Sequence, residues 1–333
     1  MTIVDGVRLV SNSEVQSFKW CRRHWWLSWY RGLTLPYENY TSAAATGGRI
    51  HEALAGLYVP DGVTPQNPLE VLRAVQTRDS QAQALRRLEA FGEDEVKSLD
   101  EVDEQLRKQF DLEQAMIEGY VQWLEETGAD SEWEVLGSEQ YVEAPFTVKP
   151  DPGVVVKLIG KLDAPVRSRV NGVRRFIDHK TVGSLFDPLL GINQQMLHYH
   201  LIEWLSAAEN EERCAGALYN MLRKVKRTRA SKPPYFARHT IDHNQIELNT
   251  YRDKLSGVIT DMMNVEYWLE QKVVHQEVVY PTPGRDCTWK CQFLRVCRMF
   301  DDGSRVEAAL ENIYVKRDPL SYYGGREKSG SDD

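Results

Sequence analysis

The spacing of apolar residues changes twice along this chain. In "SNSEVQSFKWCRRHWWLSWYRGL" apolar and aromatic residues recur at helical intervals behind Ser/Asn capping candidates, predicting a helix over 13–30 with Cys21 in its middle. "TSAAATGGRIHEALAGLYV" reads as a small-residue turn feeding a helix that begins near Gly48. Over 68–127 charge dominates, and the pattern predicts two or three surface helices forming a solvated cap with no motif in it. From 134 to 182 the period falls to two, with "EVLGSEQYVEAPFTV", "GVVVKLIGKLDAPV" and "GVRRFIDHKTV" as three strands. "INQQMLHYHLIEWLSAAE" then predicts a helix, "CAGALYNMLRKV" and "YFARHTID" two strands joined by a basic loop, and "NQIELNTYRDKLSGVITDMMNVEYWLEQ" a long helix. The closing "GGREKSGSDD" is polar enough to be expected disordered.

Strands bracketed by helices on both sides predict an α/β fold, a mixed central sheet flanked by helices with a helical insertion. The expected parts are a helical 1–59, an acidic insertion over 60–133, a core over 134–284, a cysteine segment over 285–300 and a tail over 301–333.

Net charge alters the picture only once it is localised. The chain carries −8, but residues 89–140 hold 17 Asp or Glu against three Lys or Arg, so that segment alone is −14 and the remainder +6. A basic surface for nucleic acid therefore remains available. The loop "LRKVKRTRASKPPYF" supplies one candidate: Arg223, Lys224, Lys226, Arg227, Arg229 and Lys232 can follow a phosphate backbone, with Tyr235 and Phe236 placed to stack on unpaired bases. The competing reading is a solvated hairpin tip whose aromatics face the core. No apolar run approaches 18 residues and no secretory pattern opens the sequence, so a cytoplasmic protein without a membrane span is expected. In such a compartment Cys287, Cys291 and Cys297, three of five cysteines crowded into "RDCTWKCQFLRVCRMF", are expected to be metal or redox ligands rather than disulfides.

Candidate chemistry gathers around residue 170. A two-residue turn at Asn171-Gly172 would pair positions whose numbers sum to 343, setting Asp163 opposite Lys180 with Asp178 diagonal on the same face. Clustered carboxylates repel unless a cation lies between them, and hard oxygen ligands suit Mg²⁺ or Mn²⁺. An ordinary cross-strand ion pair is the alternative.

Taken together, "GGRIHEAL", "GKLDA", "IDHK" and "QQMLHY", in that order, resemble the motif set of the RecB-type branch of the PD-(D/E)XK nucleases, close to CRISPR-associated exonucleases. The resemblance covers 11–300, and 60–135 carries none of the motifs. It implies a restriction-endonuclease-like core in which His51, Asp163 and Asp178 hold Mg²⁺ or Mn²⁺ and Lys180 is the catalytic lysine. Gln195 and Tyr199 form the motif on the following helix. The (D/E)-x-K element has Asp here where Glu is also common, and Glu139, one strand earlier, is a candidate accessory acid.

Iron–sulfur members of that branch carry one cysteine before the core and three after it, which Cys21, Cys287, Cys291 and Cys297 reproduce. The resemblance thus implies a [4Fe–4S] cluster stapling the two ends of the domain, although spacing alone also admits a four-cysteine zinc site. Cys214 is left over as a buried hydrophobe. The implied function is a metal-dependent DNA exonuclease acting on single strands or duplex ends in phage or bacterial recombination or repair. The implied setting is the (host) cytoplasm, with a single-strand annealing protein as partner. A non-catalytic DNA-binding or assembly subunit of the same fold is the alternative, and the absence of any G-x-x-x-x-G-K-[ST] run argues against a nucleotide-driven motor.

Overall fold

The computed structural model describes residues 3–4, 6–37, 39–95, 100–150, 153–208 and 213–323; the polar 324–333 end lies outside them. Strands β1 (Ile3–Val4) and β2 (Val7–Ser11) precede α1 (Asn12–Trp20), α2 (Arg22–Trp25) and a π-helical turn, Trp26–Tyr30. The one helix expected over 13–30 is therefore three pieces. Ser11 caps α1 through the Glu14 N–H, and Cys21 leaves helical geometry with φ −161°. That break turns the Cys21 thiol toward Thr282, whose N–H donates to its Sγ at 3.4 Å.

After β3 (Leu33–Thr34) comes α3 (Ala43–Leu57). It starts five residues before Gly48 because Ser42 accepts from the Ala45 N–H and the following alanines are strong helix formers. The acidic stretch forms α4 (Pro68–Glu95) and α5 (Asp100–Thr127), and it is not merely a solvated cap. Leu72, Met116, Ile117 and Tyr120 are fully buried with Ile50 and Leu54 of α3. Glu113, Met116, Ile117 and Tyr120 recur at helical spacing, a buried stripe concealed by the charges around it.

The strands that follow are β4 (Trp133–Val135), β5 (Gln140–Phe146), β6 (Val155–Leu162), β7 (Ala164–Ser168) and β8 (Arg174–Val182). Two of the three expected strands are thus each divided in two. Next come α6 (Gln194–Ser206), β9 (Gly216–Arg223), β10 (Phe236–Asp242) and α7 (Gln245–Glu270). The chain continues through α8 (His275–Val278), α9 (Cys287–Lys290), α10 (Leu294–Cys297), α11 (Val306–Ile313) and β11 (Val315–Lys316).

The strands form two larger sheets, ordered β1-β2-β6-β5 and β10-β9-β8-β7-β4, and a small one pairing β11 with β3. β2 runs parallel to β6 and β8 parallel to β9, while the other pairs are antiparallel. Helices α3 and α5 cover one side of the five-stranded sheet, and α6 and α7 join the main core on the other. This is the expected mixed α/β fold, consistent with a restriction-endonuclease-like core.

The β7–β8 register differs from expectation by two residues. Ala164 pairs with Ile177 and Arg167 with Arg174, so partner numbers sum to 341 and Asp178, not Lys180, comes opposite Asp163. Ser168 is the cause. Its N–H donates to Val173 O, its carbonyl accepts from Gly172 N–H, and its Oγ accepts from Val170 N–H, closing a four-residue loop in place of a two-residue turn. Because side chains alternate with period two, a slip of two leaves Asp163, Asp178 and Lys180 on the same face.

Candidate active site

Three carboxylates stand side by side where the two larger sheets join. Asp163 occupies the bend between β6, in the first sheet, and β7, in the second. On one side the Glu139 N–H donates to Asp163 O at 2.8 Å, continuing the β5–β6 pairing by one residue. Glu139 adopts φ 48°, an uncommon conformation for a non-glycine residue that marks a position fixed by its surroundings. On the other side the His179 N–H donates to Asp163 Oδ2 at 2.7 Å, which sets Asp178 level with Asp163.

His51 approaches from α3, with Nδ1 3.2 Å from Asp163 Oδ1. Ligand atoms of His51, Glu139 and Asp163 all lie within 4.8 Å of one another. Imidazole and carboxylate donors in that number suit a divalent cation. Glu139, read from sequence only as an accessory acid, is thus inside the tight group, whereas Asp178 stands beside it.

Charge around this row is finely divided. Burial opposes ionisation of Asp163, but His51, with His179 and Lys180 behind it, holds its pKa well below the usual carboxylate range. Asp178 is pushed up to about 6, by burial first and by repulsion from Asp163, while Lys180 pulls the other way. Its Oδ2 lies 2.8 Å from Lys180 Nζ as an ion pair without the directional geometry of a hydrogen bond. Burial works against the Lys180 ammonium as well, yet Asp178 and Asp163 outweigh it and raise its pKa, favouring the cation. Adjacent buried carboxylates that disfavour one another's ionisation are a donor set that a divalent cation would relieve.

The helix behind the row is seated by the motif glycine. A Cβ on Gly160 would stand 3.0 Å from the Tyr199 ring, so only glycine lets α6 lie this close to β6. Asn193 caps α6 by accepting from the Gln195 and Met196 N–H groups, and Gln195 Nε2 donates to Tyr199 Oη at 3.1 Å. Burial, aided by the Asp178 charge, keeps the Tyr199 phenol protonated.

Two features here were not anticipated. Arg49, two residues before His51, is buried and clamps three helices: its guanidinium bonds Glu113 of α5 at 2.7 and 2.9 Å and Asp79 of α4 at 3.0 Å. Lys161 pairs with Glu139 and sits 5.1 Å from the centre of the Tyr322 ring. Strand alternation puts Lys161 on the face of Asp163, so its place was readable in the sequence; nothing local points to Tyr322. His51, Glu139, Lys161 and Tyr322 line a cleft of about 730 Å³.

The family model of the PD-(D/E)XK nuclease superfamily matches residues 9–298. The chain belongs to the PD-(D/E)XK nuclease superfamily. A direct comparison with curated proteins returned no match. Of the motif residues of this PD-(D/E)XK chain, His51 meets Asp163, Asp178 pairs with Lys180 on β8, and Gln195 bonds Tyr199 on the helix packed against β6; His51 lines the cleft.

Outside that cleft, Cys21, Cys287, Cys291 and Cys297 line one cavity of about 240 Å³, together with Trp20, His24 and Phe293. Among the described residues no three thiols come within 4.8 Å of one another. Gly284 N–H donates to Cys287 Sγ at 3.4 Å, and Arg23 approaches Cys297 Sγ at 3.8 Å while pairing with Asp301. Burial, with the neighbouring thiols adding to it, raises the pKa of Cys291 and Cys297. Cys214 is buried elsewhere, as expected.

The basic loop is less open than its composition suggests. Phe236 is buried and Tyr235 half-buried against the same cluster as α5, so neither is placed to stack on a base. Lys226 pairs with Asp111, Arg227 donates to Gln122 at 2.8 Å, and Arg223 donates to the Lys232 carbonyl. Lys224 is half-buried, whereas Arg229 and Lys232 are exposed. Among the described residues no helix is long and apolar enough to cross a membrane.

Proposed function

We propose that this chain is a Mg²⁺- or Mn²⁺-dependent DNA exonuclease of the RecB-type branch, acting in phage or bacterial recombination or repair. The observation that carries the reading is the alignment of Glu139, Asp163 and Asp178 across neighbouring strands, with His51 above them and a charged Lys180 beside them. His51, Glu139 and Asp163 would hold the ion, with Asp178 completing the set. A divalent ion there supplies charge neutralisation at the phosphate and lowers the pKa of water. Lys180, kept cationic by Asp178 and Asp163, orients the attacking water and stabilises charge on the phosphate oxygens. Tyr199 and Gln195 hold α6 against β6 and fix the floor of the site. With every motif position occupied by a competent residue, a purely DNA-binding role finds no support.

The four thiols fit a [4Fe–4S] cluster. They line one cavity, and N–H groups donate to two of the sulfurs, as they do to ligating thiolates. A cluster would join α1 to the segment after α8. A cytoplasmic setting and a single-strand annealing partner belong to the same reading.

The test uses end-labelled single- and double-stranded DNA, linear and circular, with Mg²⁺, Mn²⁺ or EDTA. Linear DNA should be degraded from its ends, only with metal; cutting of circles would overturn the exonuclease assignment. Anaerobically purified protein should be brown, with about four irons per chain. Colourless protein carrying one zinc would replace the cluster with a zinc site.

A further inference from the structure

Tyr322 is 58% exposed and lines the cleft that holds His51 and Glu139, and the proposed cleavage chemistry has no use for it. Its position is nonetheless tightly specified. The segment after α11 doubles back as β11 onto β3, and the Arg317 N–H donates to Gly32 O at 2.7 Å. Gly32 has φ 65°, and a Cβ there would stand 2.7 Å from Arg317 O, so this crossing requires glycine. Asp318 then caps the next turn by accepting from Leu320 N–H at 2.9 Å. Leu320 and Tyr323 are buried against Leu9 and Ile159 of the first sheet.

The Tyr322 ring is held on two sides. Tyr323 meets it edge-on, with centroids 5.2 Å apart and planes at 86°, and the Lys161 ammonium that pairs with Glu139 lies over it at 5.1 Å. The ring keeps most of its surface exposed and, with Lys161, lines a cleft large enough for a nucleotide. An exposed aromatic that swings freely loses entropy on binding; one whose orientation is already fixed loses little.

We infer that Tyr322 is the stacking platform for an unpaired nucleobase, next to the phosphate held over His51, Glu139 and Asp163. The identity of the bound strand rests on the nuclease reading above. Every base has a π-face, so the contact is tolerant of sequence, but a base stacked inside a duplex cannot offer that face. The strand is therefore single-stranded at this nucleotide, and the segment following the cysteines contributes directly to substrate binding.

The experiment measures anisotropy of a fluorescein-labelled oligothymidylate in EDTA, where no cleavage occurs. Tyr322→Ala should bind it on the order of ten- to a hundredfold more weakly, with Tyr322→Phe and Tyr322→Trp near the parent. Oligonucleotides with one abasic site at successive positions supply the second readout. The parent protein should lose affinity at one position, and that loss should vanish in Tyr322→Ala. Equal abasic penalties in both proteins, tighter binding by Tyr322→Ala, or no binding by the parent would each overturn the platform. Cleavage by the parent with Mn²⁺ is scored separately, so an inactive protein that keeps the Tyr322-dependent abasic signature removes the nuclease reading alone.

Discussion

Lys180 Nζ lies 2.8 Å from Asp178 Oδ2, and the two side chains share a face because they are two residues apart on β8. The pair has separable duties. Asp178→Ala should lose both metal affinity and cleavage, whereas Lys180→Ala should keep near-parent Mn²⁺ affinity and lose cleavage by at least a hundredfold, roughly the loss seen when one electrostatic contact to the transition state is removed. Calorimetric titration of Mn²⁺ alongside cleavage of labelled DNA reads both. His51→Ala should weaken metal binding and shift preference from Mn²⁺ toward Mg²⁺, since imidazole favours the softer ion. Full cleavage by either β8 variant would place the active site elsewhere.

Arg49 makes a different kind of demand. Arg49→Ala strands Glu113, buried in α5, without its cation, and breaking one side of a buried pair costs about 3–5 kcal/mol. A clearly lowered melting temperature is expected, together with weaker Mn²⁺ binding, because α3 carries both Arg49 and His51. Normal stability would show that the clamp is dispensable.

For the basic loop, Lys226 and Arg227, which are exposed but bond α5, differ from the exposed Arg229 and Lys232. Arg229→Ala with Lys232→Ala should weaken DNA binding and reduce the salt slope by about two, with stability unchanged. Arg227→Ala should also lower stability, because its guanidinium packs over Gly119 and donates to Gln122. An unchanged slope in the double variant would return the loop to a solvated hairpin tip.

Two buried imidazoles contribute to the pH dependence of folding with a definite sign, opposed by Asp178, whose carboxyl is pushed up. His200 and His243 face each other through Nδ1 atoms 3.1 Å apart, and the second ring nitrogen of His200 donates to Cys214 O. Burial first, with the neighbouring imidazole contributing, pushes His200 down to about 4; burial lowers His243 too. Both favour the neutral form when folded, while the unfolded chain takes up protons below about pH 6.5, so their contribution to stability falls as pH drops from there toward 4. His200 alone accounts for on the order of 3 kcal/mol across that window. Urea melts at pH 7.5, 6 and 5 should show a shallower decline in His200→Asn; an identical decline would remove this pair as a contributor.

How much of this was readable from sequence varies by residue. Asp163, Asp178 and Lys180 were legible because strand alternation survives an error of two in register, and only the turn chemistry of Ser168 was misjudged. Glu139 was visible as a strand acid, but its entry into the ligand group depends on a left-handed backbone conformation that no local pattern announces. Met116, Ile117 and Tyr120 were hidden by the acidic composition of the surrounding segment, since a summed charge says nothing about which side of a helix is apolar. Tyr322 was illegible, because its partner Lys161 lies some 160 places earlier in the chain, and its neighbour Tyr323 reaches Ser13, 310 places earlier.

Asp163 sits where the chain passes from one larger sheet to the other, with Glu139 on the first side and Asp178 on the second. An ion gripping that row is also a rivet, since sliding one sheet past the other would pull its ligands apart. At a hundredfold its dissociation constant, Mn²⁺ would add about 2.7 kcal/mol to folding stability. The strands flanking the joint on both sides would then exchange their amide protons more slowly, so that the whole domain registers the metal before any DNA arrives.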